Sequence, residues 1–136
     1  MDSKGIFNIE ILISLMFLII IFSLLLSLSI TEFTAIDETQ NRKESRIITN
    51  DISEIINKVY QNENGYSIQY KLPSKINKET YILKINNTGV YINSHYQLTY
   101  SNLLPNHILK QNNYYLDAGN VYTFTKNNNT VDITKN

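Results

Sequence analysis

The sequence contains no cysteine and no tryptophan, and it has only four glycines and two prolines in 136 residues. Without cysteine the chain has no disulfide, no thiolate metal ligand and no cysteine nucleophile. Its 12 basic and 12 acidic residues give a formal net charge of zero. A nucleic-acid-binding surface needs an excess of Lys and Arg. We therefore expect no nucleic-acid partner.

Charge is also missing from a long stretch near the amino terminus. From Ile11 to Ile30 there is no charged residue, no proline and no glycine. Twenty helical residues span roughly 30 Å, the thickness of the hydrocarbon core of a bilayer. An ordinary secretory signal has a shorter apolar region, usually about 7 to 15 residues. The run therefore predicts a single membrane-spanning helix that is retained on the protein.

The absence of helix breakers extends well beyond the apolar run. No glycine or proline occurs between Ile6 and Asn62, and residues 37–46 are polar throughout, which is typical of a solvated helix. Further on, apolar residues recur at steps of four, three and four, a pattern that predicts an amphipathic helix; they are Ile48, Ile52, Ile55 and Val59. The simplest prediction is one continuous helix of about 57 residues. Two helices with a hinge within residues 37–46 are the alternative.

After Gly65, a plausible helix cap, the sequence changes to the alternating pattern of half-buried strands. Turn residues at Asn86–Gly89 and Asn127–Asn129 predict two hairpins. The predicted strands lie within residues 66–72, 79–85, 90–92, 96–100, 121–125 and 130–134. We expect a small antiparallel sheet of five to seven strands, covered by the apolar face of the amphipathic helix. The predicted fold class is α+β.

The entrance to the apolar run carries a recognisable motif. A short leader with Lys4 ends in Gly5, Ile6 follows, and Glu10 is the only charged residue between Gly5 and the run. Over roughly the first thirty residues this resembles the amino terminus of type IV pilin-like precursors, most closely the archaeal class III signal peptide. In that family a membrane-embedded prepilin peptidase cuts after the glycine, and the fifth mature residue is commonly Glu. The resemblance places the cut between Gly5 and Ile6 and makes Glu10 the fifth mature residue.

This chain departs from the family pattern at two points. It has Ile6 where many class III members carry Gln and many bacterial members carry Phe, and it lacks the proline that kinks the bacterial helix. The spacing nevertheless has a physical logic. Cleavage would give Ile6 a free amine, with an unperturbed pKa of about 7.7 to 8.0. Glu10 lies one helical turn further on, so its carboxylate can pair with that amine or with the amine of a neighbouring subunit.

The resemblance implies a structural role as a major or minor pilin of a type IV pilus-like cell-surface filament, with adhesion as a related task. The implied partners are the membrane, a prepilin peptidase, further copies of the chain or other pilins, and an assembly platform with its motor ATPase. The implied segments are a leader at 1–5, a membrane and filament-core helix at 6–30, an amphipathic continuation at 31–64 and an extracytoplasmic β-domain at 65–136. Because Lys4 precedes the run, the positive-inside rule favours a cytoplasmic amino terminus.

An alternative needs no cleavage. Since residues 11–30 suffice to span a bilayer, Glu10 can lie in the headgroup region, where a carboxylate costs little. The chain is then an uncleaved, single-pass, membrane-anchored surface protein with a small β binding domain.

No enzyme signature or cofactor motif is present in the sequence. The two histidines, His95 and His107, lack the spacing of a metal site, and no nucleophile–base cluster is visible. We expect neither catalysis nor a cofactor. Asn86 and Asn128 begin N-x-Thr sequons in predicted turns and are candidate N-glycosylation acceptors, although two sequons are no more than chance supplies in a chain so rich in Asn and Thr.

Tyrosines are dense in the β-zone of the sequence. Core packing and subunit contact are one interpretation of them. An aromatic platform that binds glycans is the other.

Overall fold

The computed structural model describes residues 3–94, 97–103, 105 and 107–136, and for residues 3–7, 94 and 97 it describes the backbone alone. The chain divides into two compact units, residues 1–38 and residues 39–136. A long helix, α1 (Ser3–Gln61), supplies all of the described part of the first unit and the first 23 residues of the second.

Helix α1 is unbroken through residues 37–46, which confirms the prediction of a continuous helix over the alternative with a hinge. It begins three residues before the predicted start and ends one residue before the predicted end. The missing helix breakers explain this length, since nothing in the sequence interrupts the ladder of backbone hydrogen bonds. Gly65 follows the end of the helix with φ +85°, a left-handed conformation that glycine adopts without steric cost.

Seven strands follow the helix and form two antiparallel sheets. One sheet has three strands in the order β1-β6-β7, and the other has four in the order β4-β3-β2-β5. The strands are β1 (Ser67–Lys71), β2 (Ile82–Asn86), β3 (Gly89–Ser94), β4 (Gln97–Asn102), β5 (Asn113–Asp117), β6 (Val121–Asn127) and β7 (Thr130–Lys135). The α+β class is confirmed, and a long amino-terminal helix followed by antiparallel sheets is the architecture that the pilin resemblance implies.

Both predicted hairpins are present. Asn86 pairs with Gly89 at the end of the β2–β3 hairpin, and Asn127 pairs with Thr130 at the end of the β6–β7 hairpin. The expectation of a single sheet was wrong, because the first strand pairs with β6, near the end of the chain, instead of with β2. Strand β5 was not predicted at all.

The second strand is also shorter than expected. Residues 79–81 lie outside β2, because Ile76 and Glu79 pair with each other across a tight turn. Asn77 and Lys78 in that turn both have positive φ. The predicted alternation is nevertheless correct, since Tyr81, Leu83 and Ile85 are all buried. Tyr96, at the start of the predicted fourth strand, lies outside the described residues.

Residues 39–61 of α1 cover the sheets, as predicted. Their buried apolar face is Ile48, Ile52, Ile56 and Val59, with Ile55 only partly buried against the core. Residues 37–46 are helical and mostly exposed, as the prediction of a solvated helix requires, but Asn41 and Ser45 are buried. Thr49 and Ser53 continue this buried polar row at steps of four residues. One side of the helix therefore packs, through polar as well as apolar residues, against the two sheets β1-β6-β7 and β4-β3-β2-β5, which together we call the β-module.

Polar contacts also connect this part of the helix to the β-module. The Ser53 hydroxyl donates to the carbonyl of Asn102 at the end of β4. The backbone N–H of Asn77 donates to the Glu44 carboxylate at 2.7 Å, and this hydrogen bond lowers the pKa of Glu44. The Tyr70 hydroxyl donates to Asp51 at 3.1 Å. Because each bond joins a different loop or strand, residues 44–53 of the helix are held to the module at three separate places.

Lys126, in β6, caps the carboxyl end of α1 through its ammonium group. It is buried, with a relative exposure of 8%. Its ammonium donates to the carbonyl of Tyr60 at 2.6 Å and lies 3.8 Å from the centre of the Tyr60 ring. A cation is favourable at this end of a helix, where the last carbonyls have no partner within the helix. The burial of a charged group is thus compensated by the helix terminus and the aromatic ring.

Candidate functional site

The predicted cleavage bond lies in the first turns of α1. Gly5 and Ile6 are both helical in backbone conformation. The first four N–H groups of a helix have no partner within the helix, so its first turn opens at small cost. A peptidase that binds its substrate as extended backbone would have to unwind the helix around Gly5 and Ile6. Because this bond is close to the helix end, the unwinding costs little. That Gly5 and Ile6 form a processing site stays a prediction.

Glu10 is exposed on the helix surface. It lies four residues after Ile6, so the helix brings the two positions to the same face, one turn apart. The uncharged apolar run begins at the next residue, Ile11. The carboxylate therefore lies at the boundary of the apolar surface, and its role in subunit registration stays a prediction.

The apolar surface that follows Glu10 is long and covers all sides of the helix. Every large apolar residue between Ile9 and Ile36 is about half exposed or more. Isolated soluble proteins rarely expose a continuous apolar patch of this extent. Within the described residues, α1 is the helix whose length and composition suffice to cross a membrane.

The hydroxyl groups at the end of this apolar surface are satisfied within the helix itself. Ser29 donates to the carbonyl of Leu25 at 3.0 Å, and Thr31 donates to the carbonyl of Leu28 at 2.8 Å. Thr34 donates in the same way to the carbonyl of Thr31 at 2.9 Å. In a hydrocarbon environment an unpaired polar group costs several kcal/mol. These side chains are therefore compatible with an apolar surrounding.

The two candidate glycosylation residues differ in environment. Asn86 is half-buried at the end of β2, and its side-chain oxygen accepts from the N–H and the hydroxyl of Thr88 and from the N–H of Gly89. This is the geometry with which Asn stabilises a turn. Asn128 is exposed in the β6–β7 turn with φ +54°, a conformation that Asn tolerates better than most residues. Asn86 thus has a structural role in its turn, and glycosylation of either residue stays a prediction.

A second surface of interest lies on the β-module, and the sequence pattern alone did not delimit it. We call it the tyrosine face: the outward-facing residues of the four-stranded sheet, on the side opposite the buried residues Leu83, Ile85, Val90, Ile92 and Leu116. Its members are Ile82, Lys84, Asn86, Gly89, Tyr91, Asn93, Leu98, Tyr100, Asn102, Asn113, Tyr115 and Asp117.

Strand register arranges the tyrosine face in rows. Tyr115 is opposite Lys84, Lys84 is opposite Tyr91, and Tyr91 is opposite Tyr100, so that one row crosses all four strands. The neighbouring row consists of Asn113, Asn86, Gly89 and Asn102. The sequence shows many tyrosines, but the row depends on the pairing of β2 with β5, the strand that was not predicted.

The tyrosines at one end of the row are held in place. The rings of Tyr91 and Tyr100 have centroids 4.7 Å apart. Both hydroxyls bond to Thr88, Tyr91 to its hydroxyl at 2.7 Å and Tyr100 to its carbonyl at 3.1 Å. Gly89 lies directly beneath the Tyr100 ring. A Cβ at that position would clash with the ring and with the carbonyl of Ser101. A side chain at position 89 would therefore displace the ring.

An open depression of about 490 Å³ borders the tyrosine face at the β2–β5 side. Its lining includes Ile82, Asn93 and Asp117 from the face, together with Thr80. Asp117 also accepts from the ammonium of Lys135 at 3.3 Å. Among the described residues, no group of three or more His, Asp or Glu side chains lies close enough together to hold a metal ion.

No protein-family model, curated protein or solved structure matches this chain. Its role must therefore be inferred from its own residues and their arrangement.

Proposed function

We propose that this chain is a structural subunit of a type IV pilus-like cell-surface filament, anchored in the membrane before assembly. The observation that carries the proposal is the exposed apolar surface of α1 from Ile11 to Ile30, which contains no charged residue and follows directly after Glu10. Such a surface needs lipid or other apolar helices around it. Before assembly, membrane lipid surrounds this surface. After the subunit has left the membrane, the packed apolar helices of the filament core surround it.

The proposal assigns separate roles to the residues at the start of the helix. Gly5 and Ile6 flank the bond that a prepilin peptidase cuts, and the cut frees the amine of Ile6. Glu10 then pairs with an amine, either its own or that of a neighbouring subunit, and sets the register of the packed helices. A carboxylate at the edge of an apolar surface requires such a partner when the surface becomes enclosed.

The proposed partners follow from this pathway. They are the membrane, a prepilin peptidase, further copies of the chain or other pilins, and an assembly platform with a motor ATPase. In the membrane stage the amino terminus is cytoplasmic and the β-module is outside the cell. The proposed role is structural and includes no enzymatic activity.

One alternative has an observation in its favour. The helix is regular from Ser3 onward, and residues 11–30 alone match the thickness of a bilayer. An uncleaved, single-pass surface protein with a β binding module would need nothing more. The two functions differ in the mature amino terminus, since one begins at Ile6 and the other retains the leader.

Mass spectrometry of the chain isolated from its native membrane tests the proposal. We expect a mature protein that begins at Ile6, and we expect Gly5→Leu to leave the leader attached, because the peptidase requires a small residue at the cut. An intact leader on wild-type surface protein would support the alternative.

The role of Glu10 is tested separately from cleavage. Glu10→Val should be processed normally yet recovered in sheared filaments at about one tenth of the wild-type amount or less, since loss of one buried charge pairing costs several kcal/mol per subunit. Glu32→Val is the matched control, because it makes the same change in the same helix beyond the apolar run. Equal filament yields from both variants would remove Glu10 from the mechanism.

A further inference from the structure

The tyrosine face carries exposed aromatic residues that are not needed to form the core of the fold. Core formation uses the opposite side of the same sheet, where Leu83, Ile85 and Ile92 have no exposed surface. On the outward side Tyr115 is 64% exposed, and Tyr100 is 43% exposed. Exposed aromatic rings on a rigid sheet present flat apolar surfaces with polar hydroxyl groups at their edges.

We propose that the tyrosine face binds an acidic polysaccharide. The faces of the sugar rings stack on Tyr115, Tyr91 and Tyr100, and a carboxylate of a uronic acid unit pairs with Lys84. The exposed side-chain amides of Asn113 and Asn102, at the two ends of the adjacent row, donate to and accept from sugar hydroxyl groups. The proposal concerns the β-module alone, so it holds whether or not the chain assembles into filaments.

Charge on the face selects the acidic class. Of the twelve residues of the face, Lys84 and Asp117 are charged, and Asp117 is already paired with Lys135. Lys84 stands between Tyr115 and Tyr91 in the row, with its ammonium 5.9 Å from the centre of the Tyr115 ring. A sugar stacked on either ring would bring a carboxylate within reach of this cation. A single cation is too little for a nucleic acid, whose binding needs many phosphate contacts.

The geometry of the row suits a chain more than a single sugar. Four adjacent strands at a spacing of about 4.8 Å make the row roughly 14 Å long. That length accommodates several consecutive sugar rings. Because Thr88 fixes Tyr91 and Tyr100 through their hydroxyls, less conformational entropy is lost when a ligand binds to them.

The full chain in detergent micelles tests this proposal, with oligogalacturonate and alginate oligomers as acidic probes and the methyl ester of oligogalacturonate as the uncharged match. Calorimetric titration gives the affinity, and tyrosine fluorescence reports the contact, since the chain has ten tyrosines and no tryptophan. We expect both acidic probes to bind, and the ester to bind about threefold or more weakly, as expected for the loss of one exposed ion pair.

Matched variants locate the site. Tyr115→Ala should weaken binding of oligogalacturonate about three- to tenfold, whereas Tyr115→Phe should retain it, because the stacking ring is preserved. Lys84→Gln should reduce the affinity for the acid to that for the ester. Tyr66→Ala and Lys71→Gln are the controls, since both residues are exposed outside the four-stranded sheet and should leave the affinity unchanged.

Several outcomes would overturn the proposal. Absence of binding by both acidic probes would do so, and so would binding that Tyr115→Ala leaves intact. Equal affinity for the acid and its ester would contradict the assignment of Lys84. If Tyr115→Ala instead abolished self-association of the chain and no sugar bound, the face would be a contact between copies. Circular dichroism of each variant would show that the fold is retained.

Discussion

Two segments of one helix, residues 8–38 and residues 39–61, have the same backbone conformation but differ in which of their side chains are exposed. In the first segment the large apolar side chains are exposed on every side. In the second, one side of the helix is buried through both apolar residues and a row of small polar residues, and among its large apolar residues Ile47 is exposed. Helix formation therefore depends on the missing breakers, whereas the environment of each segment depends on how its apolar residues are distributed. Residues 39–61 thus contribute to the core of the β-module, whereas the apolar side chains of residues 8–38 are exposed and contribute nothing to that core.

The largest expected effect is on the stability of the β-module. Ile52 has no exposed surface, whereas Ile19 is 56% exposed. Ile52→Ala should lower the free energy of unfolding of the module by about 2–5 kcal/mol, because it removes buried methyl groups and leaves a cavity. Ile19→Ala makes the same chemical change in the first segment and should leave this free energy unchanged. Denaturant unfolding in detergent micelles, followed by near-UV circular dichroism of the tyrosines, measures both. Equal losses would mean that the two segments do not differ as described.

The converse change acts on the first segment. Ile19→Lys places a charge in the middle of the uncharged run and should cost about 3 kcal/mol in membrane insertion. Ile47→Lys is the matched control in the second segment, where Ile47 is 50% exposed and faces water in the proposed topology. The fraction of chain that resists alkaline extraction from membranes measures insertion. Full retention of the Ile19→Lys protein would argue that the first segment is not a membrane span.

A smaller effect concerns alkaline pH. Burial, followed by the charge of Asp51, raises the pKa of Tyr70 to about 12, and burial likewise raises the pKa of Tyr114 to about 12. Tyrosine in an unfolded chain ionises near pH 10. The stabilisation from these two groups is therefore fully present below pH 10, and it is lost as the pH rises from 10 to 12.

The same pH range distinguishes the two segments. The first segment contains no tyrosine, so its helicity should stay constant over pH 10 to 12 while the β-module loses stability. Thermal unfolding at stepped pH, monitored separately at helical and aromatic wavelengths, gives both quantities. Tyr70→Phe should flatten part of the fall in stability, and a fall that this variant leaves unaltered would assign the pH dependence to other groups.

Local patterns in the sequence predicted the elements well. The unbroken helix, the Asn86–Gly89 hairpin and the buried alternation of Tyr81, Leu83 and Ile85 all follow from short-range rules of periodicity and turn chemistry. Pairings between distant strands did not follow from such rules. Nothing near β1 indicates that its partner is β6, more than fifty residues later, and this pairing divides the strands between two sheets.

The candidate sites differ in the same way: one is formed by residues close together in sequence, and the other by residues from distant strands. Gly5, Ile6 and Glu10 are adjacent in sequence, so a motif sufficed to single them out, and their roles stay predictions. The tyrosine face is assembled from four strands, one of them unpredicted. Residues such as Lys84 and Tyr115 are about thirty positions apart, and only the strand register places them side by side.

The pairing of β1 with β6 also sets an order of events during synthesis. Residues 67–71 leave the ribosome long before residues 121–127, so the first strand has no partner in its sheet until more than fifty further residues have been synthesised. Lys126, which closes the end of the helix, arrives equally late. The apolar segment is therefore fully synthesised while the three-stranded sheet is still incomplete. A nonsense codon at position 122 would abolish the three-stranded sheet, because it removes nearly all of β6 and the whole of β7.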